Sequence, residues 1–285
     1  FHSILEYLPK HIKLLGNSQH TVEKIKNPSQ FFNILNKANI PYPKIKLTPP
    51  IEKKGWLKKS AAGFGGTHIQ YLTPGSEYSN TYYQEYIDGI SGSVLFLANG
   101  KNNRLLSINQ QFLVNDPASP FMLGGIATPF ILSHPQQTVL QNIIESLLNH
   151  INLYGLNSLD FIINEAGDIL VLEVNPRPSA SAELLTELPQ LFNYHINACQ
   201  EDHSIEMTPY PKNSSTYLHY IFARYNTVIP ENISWPSMCR DIPLSGHLIL
   251  KKAPLCTAII VNSQLTFTES GDKVQNHIHD LLERR

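Results

Sequence analysis

"LDFIINEAGDILVLEVNPRPSAS", residues 159–181, sets two apolar runs on either side of "EAGD". Turn residues between runs of branched and aliphatic side chains predict a β-hairpin over 159–174. A tight turn centred between Ala166 and Gly167 sets Asp160 opposite Glu173, Ile162 opposite Val171 and Asn164 opposite Ile169. Side chains alternate along a strand, so Glu173, Asn175 and Arg177 share one face. Two carboxylates directly opposite each other repel unless something compensates. A divalent cation would do so: two carboxylates and an amide oxygen form a hard, all-oxygen ligand set suited to Mg²⁺, completed by waters and phosphates. Arg177, one step along the same face, is placed to hold a carboxylate or a phosphoryl group bidentately. The alternatives are that Arg177 neutralises the acids as a surface ion pair, or that a register slip of one residue parts them.

A second stretch, "WLKKSAAGFGGTHI" (56–69), runs from two lysines into a loop of small residues and on into a strand. It is not a P-loop, because the lysine precedes the glycines and no helix follows. It is not a dinucleotide fingerprint either, since His68 stands where the last glycine belongs. What is left is a glycine-rich connection between strands, whose backbone N–H groups can approach an anion closely. Lys59 adds a point charge on a flexible stem. The plainer reading is a mobile hairpin with solvated lysines. A third stretch, "YYQEYIDGISGSVLFLANGK" (82–101), is a hairpin or meander turning at Asp88-Gly89. The functional alternative is a hinge at Gln84 to Ile87 whose backbone groups meet a purine edge, with Asp88 near a ribose, a reading that composition alone does not justify.

Around these stretches the chain reads as globular. Apolar residues make up 42 % and charged residues 16 % of 285, and the formal charge is −1, so no overall field points to nucleic acid or a membrane surface. No apolar run is long enough to span a membrane. Cys199, Cys239 and Cys256 show neither metal-ligand nor disulfide spacing, which suits a reducing, cytoplasmic compartment. The chain begins at Phe1 rather than methionine, which reads as a fragment with any targeting segment upstream. A helix is predicted over 20–39, and the four prolines of 40–55 predict an extended connector. Residues 136–151 predict a helix with Val139, Ile143, Leu147 and Ile151 on one stripe, Leu140, Ile144 and Leu148 beside it, and Gly155 as its stop. "TPYPKNSS" (208–215) reads as a linker. Short strands follow at 217–225, 246–252 and 256–262, then an amphipathic helix through Val274, Ile278 and Leu281. Strands and helices mix without a βαβ rhythm, so the class is α+β.

Taken in order, a lysine before a glycine loop, then "QEYIDG", "DFI" and "LEVNPRPS", the chain resembles the ATP-grasp superfamily over roughly residues 12–200. The resemblance implies a nucleotide gripped between two α+β subdomains. It divides the chain into 1–45, the end of a preATP-grasp region and a lead-in helix; 46–115, a small subdomain with lid and hinge; 116–204, a large subdomain with the metal hairpin; and 205–285, a small C-terminal β-rich domain. The domain that precedes the grasp in such families is expected to be largely absent from this chain. By position, Lys59 and the lid (Gly63, Phe64, Gly65, Gly66, within 61–66) cover the phosphates of ATP. Gln84, Glu85, Tyr86 and Ile87 hold adenine, chiefly through backbone atoms of Glu85 and Ile87, and Asp88 lies by the ribose. Asp160, Glu173 and Asn175 bind Mg²⁺, or Mn²⁺ in its place, and Arg177 and Lys59 are catalytic.

Residues 217–262 are similar to the C-terminal β-domain of biotin-carboxylase-related ATP-grasp proteins of methanogens and methylotrophs, some assigned as a tyramine–glutamate ligase in methanofuran assembly. The resemblance therefore implies ATP-dependent ligation of a small-molecule carboxylate to an amine through an acyl phosphate, with a homodimer as one arrangement. A bicarbonate-phosphorylating carboxylase and a non-catalytic ATP-binding regulator are the other two readings. The sequence departs from the family at Pro28, which stands where many relatives carry a second nucleotide lysine; Lys26 is the nearby substitute. Ser60 replaces a frequent proline after the lid lysine and His68 a frequent glycine after the lid. Glu183 is a candidate base, although its place suits the opening of a helix. "NQQFLVNDPASPFMLGGIATPF" (109–130) is expected to line the acceptor side, with Gly124 and Gly125 close to a ligand.

Overall fold

A computed structural model describes residues 12–61, 63, 65–73, 81–200, 205, 215–261 and 263–283. Most of the predicted linker 208–215, and Ala62 and Phe64 of the glycine loop, lie outside the described residues. The helix predicted over 20–39 is two helices. Helix α1 (Gln19–Lys26) is capped by Ser18, and α2 (Pro28–Lys37) starts at Pro28. Proline lacks an N–H and crowds the preceding turn, so it opens a helix and cannot sit inside one. Asn27 therefore ends α1, and its side chain caps α2 by accepting from the Gln30 N–H at 3.1 Å.

Four short strands follow. They are β1 (Ile45–Lys46), β2 (Trp56–Ser60), β3 (Ile69–Tyr71) and β4 (Thr81–Glu85), and they form one sheet in the order β1-β4-β2-β3. The chain then builds β5 (Gly89–Asn99), β6 (Asn103–Leu113), β7 (Leu123–Thr128), α3 (His134–Leu148), β8 (Tyr154–Asn164) and β9 (Ile169–Asn175). A 3₁₀ turn (Ala180–Leu184), α4 (Leu191–Ala198), β10 (Thr216–Phe222), β11 (Thr227–Val228), β12 (Cys239–Arg240), β13 (Leu248–Ile249), β14 (Pro254–Val261) and α5 (Phe267–Glu283) complete it. Eight strands make one sheet in the order β12-β14-β10-β7-β6-β5-β8-β9, and every neighbouring pair is antiparallel. The α+β class expected from the missing βαβ rhythm is what forms. Strands β5 and β6, within 46–115, hydrogen-bond into this large sheet, and so do β10, β12 and β14 from beyond residue 204.

β5 is buried on both faces, which explains its unbroken run "VLFLA". Val94, Phe96 and Ala98 join α1, α2, α3, β8 and β9 in the main core, while Leu95 and Leu97 meet Leu156, Leu185 and Leu188 on the other side. Helix α3 opens with a capping box between Ser133 and Gln136. Its buried stripe is Leu140, Ile143, Ile144, Leu147 and Leu148, all expected, and Ile151 is buried just beyond its end; of the expected face Val139 alone lies out, 40 % exposed. Gly155 is not its stop. The helix ends at Leu148, and Gly155 lies in β8 at φ 68°, where a Cβ would meet the His195 ring at 2.5 Å. In α5, Leu282 rather than Leu281 completes the buried stripe with Val274 and Ile278.

The acid hairpin forms, with a correction to its register. Phe161 pairs with Val171, Ile162 with Leu170 and Ile163 with Ile169, one residue out from expectation, yet Asp160 does pair with Glu173. Two facts reconcile these. The turn is one residue tighter, with Gly167 at φ 86° supplying the left-handed position of a three-residue loop. A bulge at Leu172 then restores the expected pairing beyond it.

The glycine loop is docked on the segment before β7. Leu123 N–H donates to Gly65 O at 3.1 Å, and a Cβ on Gly66 (φ 76°) would meet Phe121 O at 1.7 Å. Gly66→Ala must therefore push the loop off this segment, at about 1 kcal/mol or more. We expect faster amide exchange at Leu123 in that variant. Gly65→Ala, whose Cβ has nothing within 4 Å, should carry only left-handed strain.

Between the sheet and α5, His219 is 3 % exposed, 2.8 Å from Ser270 Oγ and 4.3 Å from the Phe267 ring centre. Burial lowers its pKa from 6.5 to about 4. The unfolded chain therefore gains this proton first as pH falls. The stability contributed by the neutral ring is full above pH 6.5 and is lost as pH drops towards 4. Chemical denaturation of His219→Gln should show a shallower loss of stability than the parent across that window.

Candidate active site

A cavity of about 470 Å³ lies between the four-stranded sheet and the eight-stranded one. Its floor carries a row of polar side chains on paired strands: Ser93 on β5 faces Asp160 on β8, and Asp160 faces Glu173 on β9. The other neighbour of Ser93, Asn109 on β6, lies outside the cavity wall. The bulge at Leu172 is what brings Glu173 here. Ile169 and Val171 point into the main core, and strict alternation would send Glu173 after them. The extra residue reverses the phase, so Val174 enters the core and Glu173 and Asn175 line the cavity.

The three predicted metal-binding residues are together. Asn175 Nδ2 donates to Glu173 Oε1 at 3.1 Å and to Asp160 Oδ2 at 3.4 Å. Burial, and then Glu173 across from it, push the Asp160 carboxyl well above the ordinary carboxylate range. Burial also acts to raise Glu173, but the ammonium groups of Lys26 and Lys59 and two hydrogen bonds outweigh it and hold Glu173 below its usual value. A carboxylate pair that shares charge so unfavourably suits a divalent cation, and its donors are all oxygen once the amide makes a half-turn. Among the described residues no three His, Cys, Asp or Glu side chains gather as a metal cluster, and here the third donor is an amide.

Lys59 projects from β2 into the cavity and is 5 % exposed. Burial lowers its pKa, against the pull of Glu173 and Asp160. Its Nζ donates to Gln84 Oε1 at 3.0 Å. Gln84 is 1 % exposed, and its Nε2 has no partner among the described residues. A buried donor left so costs about 1–3 kcal/mol, so an acceptor is expected from whatever fills the cavity. Gly65 and Gly66 line the cavity; Gly63 does not, packing against the His68 ring instead, and Phe64 lies outside the described residues.

The hinge residues Gln84, Glu85, Tyr86 and Ile87 all line the cavity, whereas Asp88 is not part of its wall. Glu85 and Tyr86 have spent their backbone N–H groups on Lys44 O and Gly55 O, and the Glu85 carboxylate reaches Lys44 Nζ at 3.3 Å. Tyr86 packs with Tyr71 and Phe121 in a triangle with ring centres 5.0–6.3 Å apart.

Arg177 is exposed at the cavity's edge, and its Nη1 donates to Pro178 O at 3.1 Å. Among the described residues no ion pair joins it to Asp160 or Glu173, so it is not their neutralising partner. Glu183 sits in the 3₁₀ turn outside the cavity wall, its carboxyl raised by burial and by Asp241. Gly124 and Gly125 are not part of the cavity wall. A Cβ on Gly125 would meet Leu218 O and the Phe267 ring, both at 2.4 Å. The 109–130 segment reaches the cavity through Gln111, Leu113, Phe121, Met122, Leu123 and Ile126 instead.

Sequence reasoning missed Ser93, whose signal is a polar residue at strand spacing beside an apolar run. It also missed Tyr220, Phe222 and Pro254, which bring the C-terminal strands to the wall and carry no motif.

N5-carboxyaminoimidazole ribonucleotide synthetase from Thermotoga maritima is similar with a TM-score of 0.69 at 15 % identity, over 92 % of this chain and 74 % of that one. L-amino acid ligase from Bacillus licheniformis gives 0.68 at 14 %, over 93 % and 72 %. The biotin carboxylase domain dimer of Hydrogenobacter thermophilus 2-oxoglutarate carboxylase, solved with MgADP, ADP and bicarbonate, gives 0.69 at 14 %, over 91 % and 66 %. Identities this low carry the fold alone. The model of the ATP-grasp domain family matches residues 25–181, more than half of the 285. Because that match takes in the buried lysine, the glycine loop, the hinge and the acid hairpin of a single cavity, the chain belongs to the ATP-grasp family.

Proposed function

We propose that this chain is an ATP-dependent ligase that joins a carboxylate to an amine and releases ADP and phosphate. The observation that carries the reading is that one cavity receives Lys59, Gly65 and Gly66 from the small sheet, Asp160, Glu173 and Asn175 from the large one, and Arg177 at its mouth. The apolar wall by the hinge (Pro43, Leu57, Ile87, Ile162, Leu172) suits a purine, and Gln84 Nε2 supplies a donor to it. Lys59 and the N–H groups of the glycine loop would hold the phosphates from above. Asp160, Glu173 and Asn175 would hold Mg²⁺ beneath them, and when bound that ion offsets charge on the phosphate oxygens. Arg177 would orient the acid for attack on the γ-phosphate and then steady the acyl phosphate until the amine displaces phosphate. Docking of the glycine loop on Phe121–Leu123 would keep water from that intermediate.

The finer reading is one-carbon cofactor assembly, with glutamate and tyramine as the first acid and amine to test. Its support is the likeness of residues 217–262, whose strand β10 lines the cavity with Tyr220 and Phe222. The second reading is bicarbonate phosphorylation, favoured by the fold's likeness to a domain solved with bicarbonate. ADP release that needs bicarbonate and no organic acid would select it. A homodimer is proposed by analogy with that same domain, and sedimentation would test it. Among the described residues no helix is long and apolar enough to cross a membrane.

In a thermal-shift titration, ATP should raise the melting temperature, and Mg²⁺ should add to the rise. Glu173→Gln should lose the Mg²⁺-dependent part and all turnover, with its unliganded melting temperature near the parent's. Full activity in that variant would remove the metal assignment. Lys59→Ala should raise the KM for ATP roughly 10- to 100-fold, the worth of a charged hydrogen bond. Unfolding instead would make Lys59 structural.

A further inference from the structure

Lys26 has no part in the steps above, yet it reaches the same site. It ends α1, and its Nζ donates to Asn175 Oδ1 at 3.2 Å. With its oxygen turned to Lys26, Asn175 turns its amide nitrogen to the two carboxylates, 3.1 Å from Glu173 and 3.4 Å from Asp160. A cation held by Asp160, Glu173 and Asn175 needs that same oxygen, turned the opposite way. An amide has one oxygen on one axis, so the two arrangements exclude each other. Lys26 also supplies positive charge to both carboxylates.

We propose that Lys26 is a built-in counter-ion that holds Asn175 turned away from the cation until nucleotide phosphates draw the ammonium off, so that cation and nucleotide bind as a coupled pair. The proposal rests on the reading of Asp160, Glu173 and Asn175 as cation ligands. Before ligands arrive, Lys26 satisfies Asn175 Oδ1 and offsets the acids. When polyphosphate enters, the four-carbon stem of Lys26 lets its ammonium follow the new anion. Asn175 then makes its half-turn and offers its oxygen to the cation. Each ligand thereby removes an obstacle to the other, and such a coupling is reciprocal. This gives Lys26 the phosphate-facing role left open by Pro28, and adds a brake on cation binding that a lysine placed only among the phosphates would not exert.

The test is a Mn²⁺ titration of the full chain, read by the electron paramagnetic resonance of free Mn²⁺, with and without a non-hydrolysable ATP analogue, the analogue's own Mn²⁺ binding being measured without protein and subtracted. The parent should bind Mn²⁺ weakly alone and on the order of tenfold more tightly with the analogue, a usual size for such couplings. Lys26→Met should bind Mn²⁺ alone about tenfold more tightly than the parent and show a correspondingly smaller effect of the analogue. Lys26→Gln, which keeps a hydrogen-bond donor without the charge, should behave like Lys26→Met, and retention of parental coupling in it would overturn the counter-ion role. Unchanged Mn²⁺ affinity in Lys26→Met, with Glu173→Gln abolishing binding, would overturn the proposal and leave the cation site standing. Parental Mn²⁺ binding in Glu173→Gln would overturn the site reading and the proposal with it.

Discussion

Between Val171 and Glu173 the pairing of β9 with β8 passes over Leu172, and the chemistry of the cavity depends on that skipped residue. A strand offers alternate side chains to opposite faces, and one inserted residue exchanges the faces for everything beyond it. Here the exchange happens after Ile169 and Val171 have been given to the core and before Glu173 and Asn175 are needed on the other side. Without it, an acid and an amide would be driven into the contacts of Phe161 and Leu159, and Val174 would line the cleft. The bulge lets one short strand serve as core at one end and as binding surface at the other.

The cavity is a place where charge is held at a cost. Lys59 has been taken almost wholly out of water, and burial depresses its pKa despite two acids nearby. Asp160 is pushed the other way by the same burial and by Glu173. An unliganded protein gains little from such an arrangement, since desolvated charges seldom return their full cost in mutual attraction. The orphaned amide nitrogen of Gln84 points the same way. The apolar core lies elsewhere, on α3 and the two faces of β5.

Much of this was legible in the sequence because it depended on local chemistry. The hairpin turn by Gly167 and the strand-rich stretch from Trp56 are short-range consequences of turn residues and alternation. The helix break at Pro28 was passed over, and Asp160 meets Glu173 only because the bulge offsets a turn one residue tighter than expected. The buried lysine was legible only as a lysine before glycines; nothing local says that it is out of water. The errors share one cause. Val139 and Leu281 are apolar at helical spacing yet lie at the margin of the stripe, because tertiary packing chooses which part of an apolar face is covered. Gly124, Gly125 and Gly155 were read as ligand or stop signals, but each makes room for a neighbour distant in sequence: Val114, Leu218 with Phe267, and His195. The bulge is equally silent, since Leu172 looks like any strand residue. The C-terminal wall of the cavity was invisible for the same reason: Tyr220 and Phe222 acquire meaning only when β10 joins β7.

The central strand carries a consequence for how the chain assembles. β5 takes β6 as one neighbour, a few residues away, but its other neighbour is β8, whose pairing runs from Asn99↔Tyr154 to Gly89↔Asn164. On a chain growing from its N-terminus, β5 and β6 can meet early, while the second edge of β5 waits for residues 154–164 to emerge. Until then the run "VLFLA" presents an unpaired edge and two apolar faces, the features that invite pairing with a stranger. Sheets closed by such long-range pairing fold slowly compared with helical bundles. The same strand that anchors both cores in the finished protein is thus its most exposed liability during synthesis, and the arrival of β8 marks the point at which the chain becomes safe from its own kind.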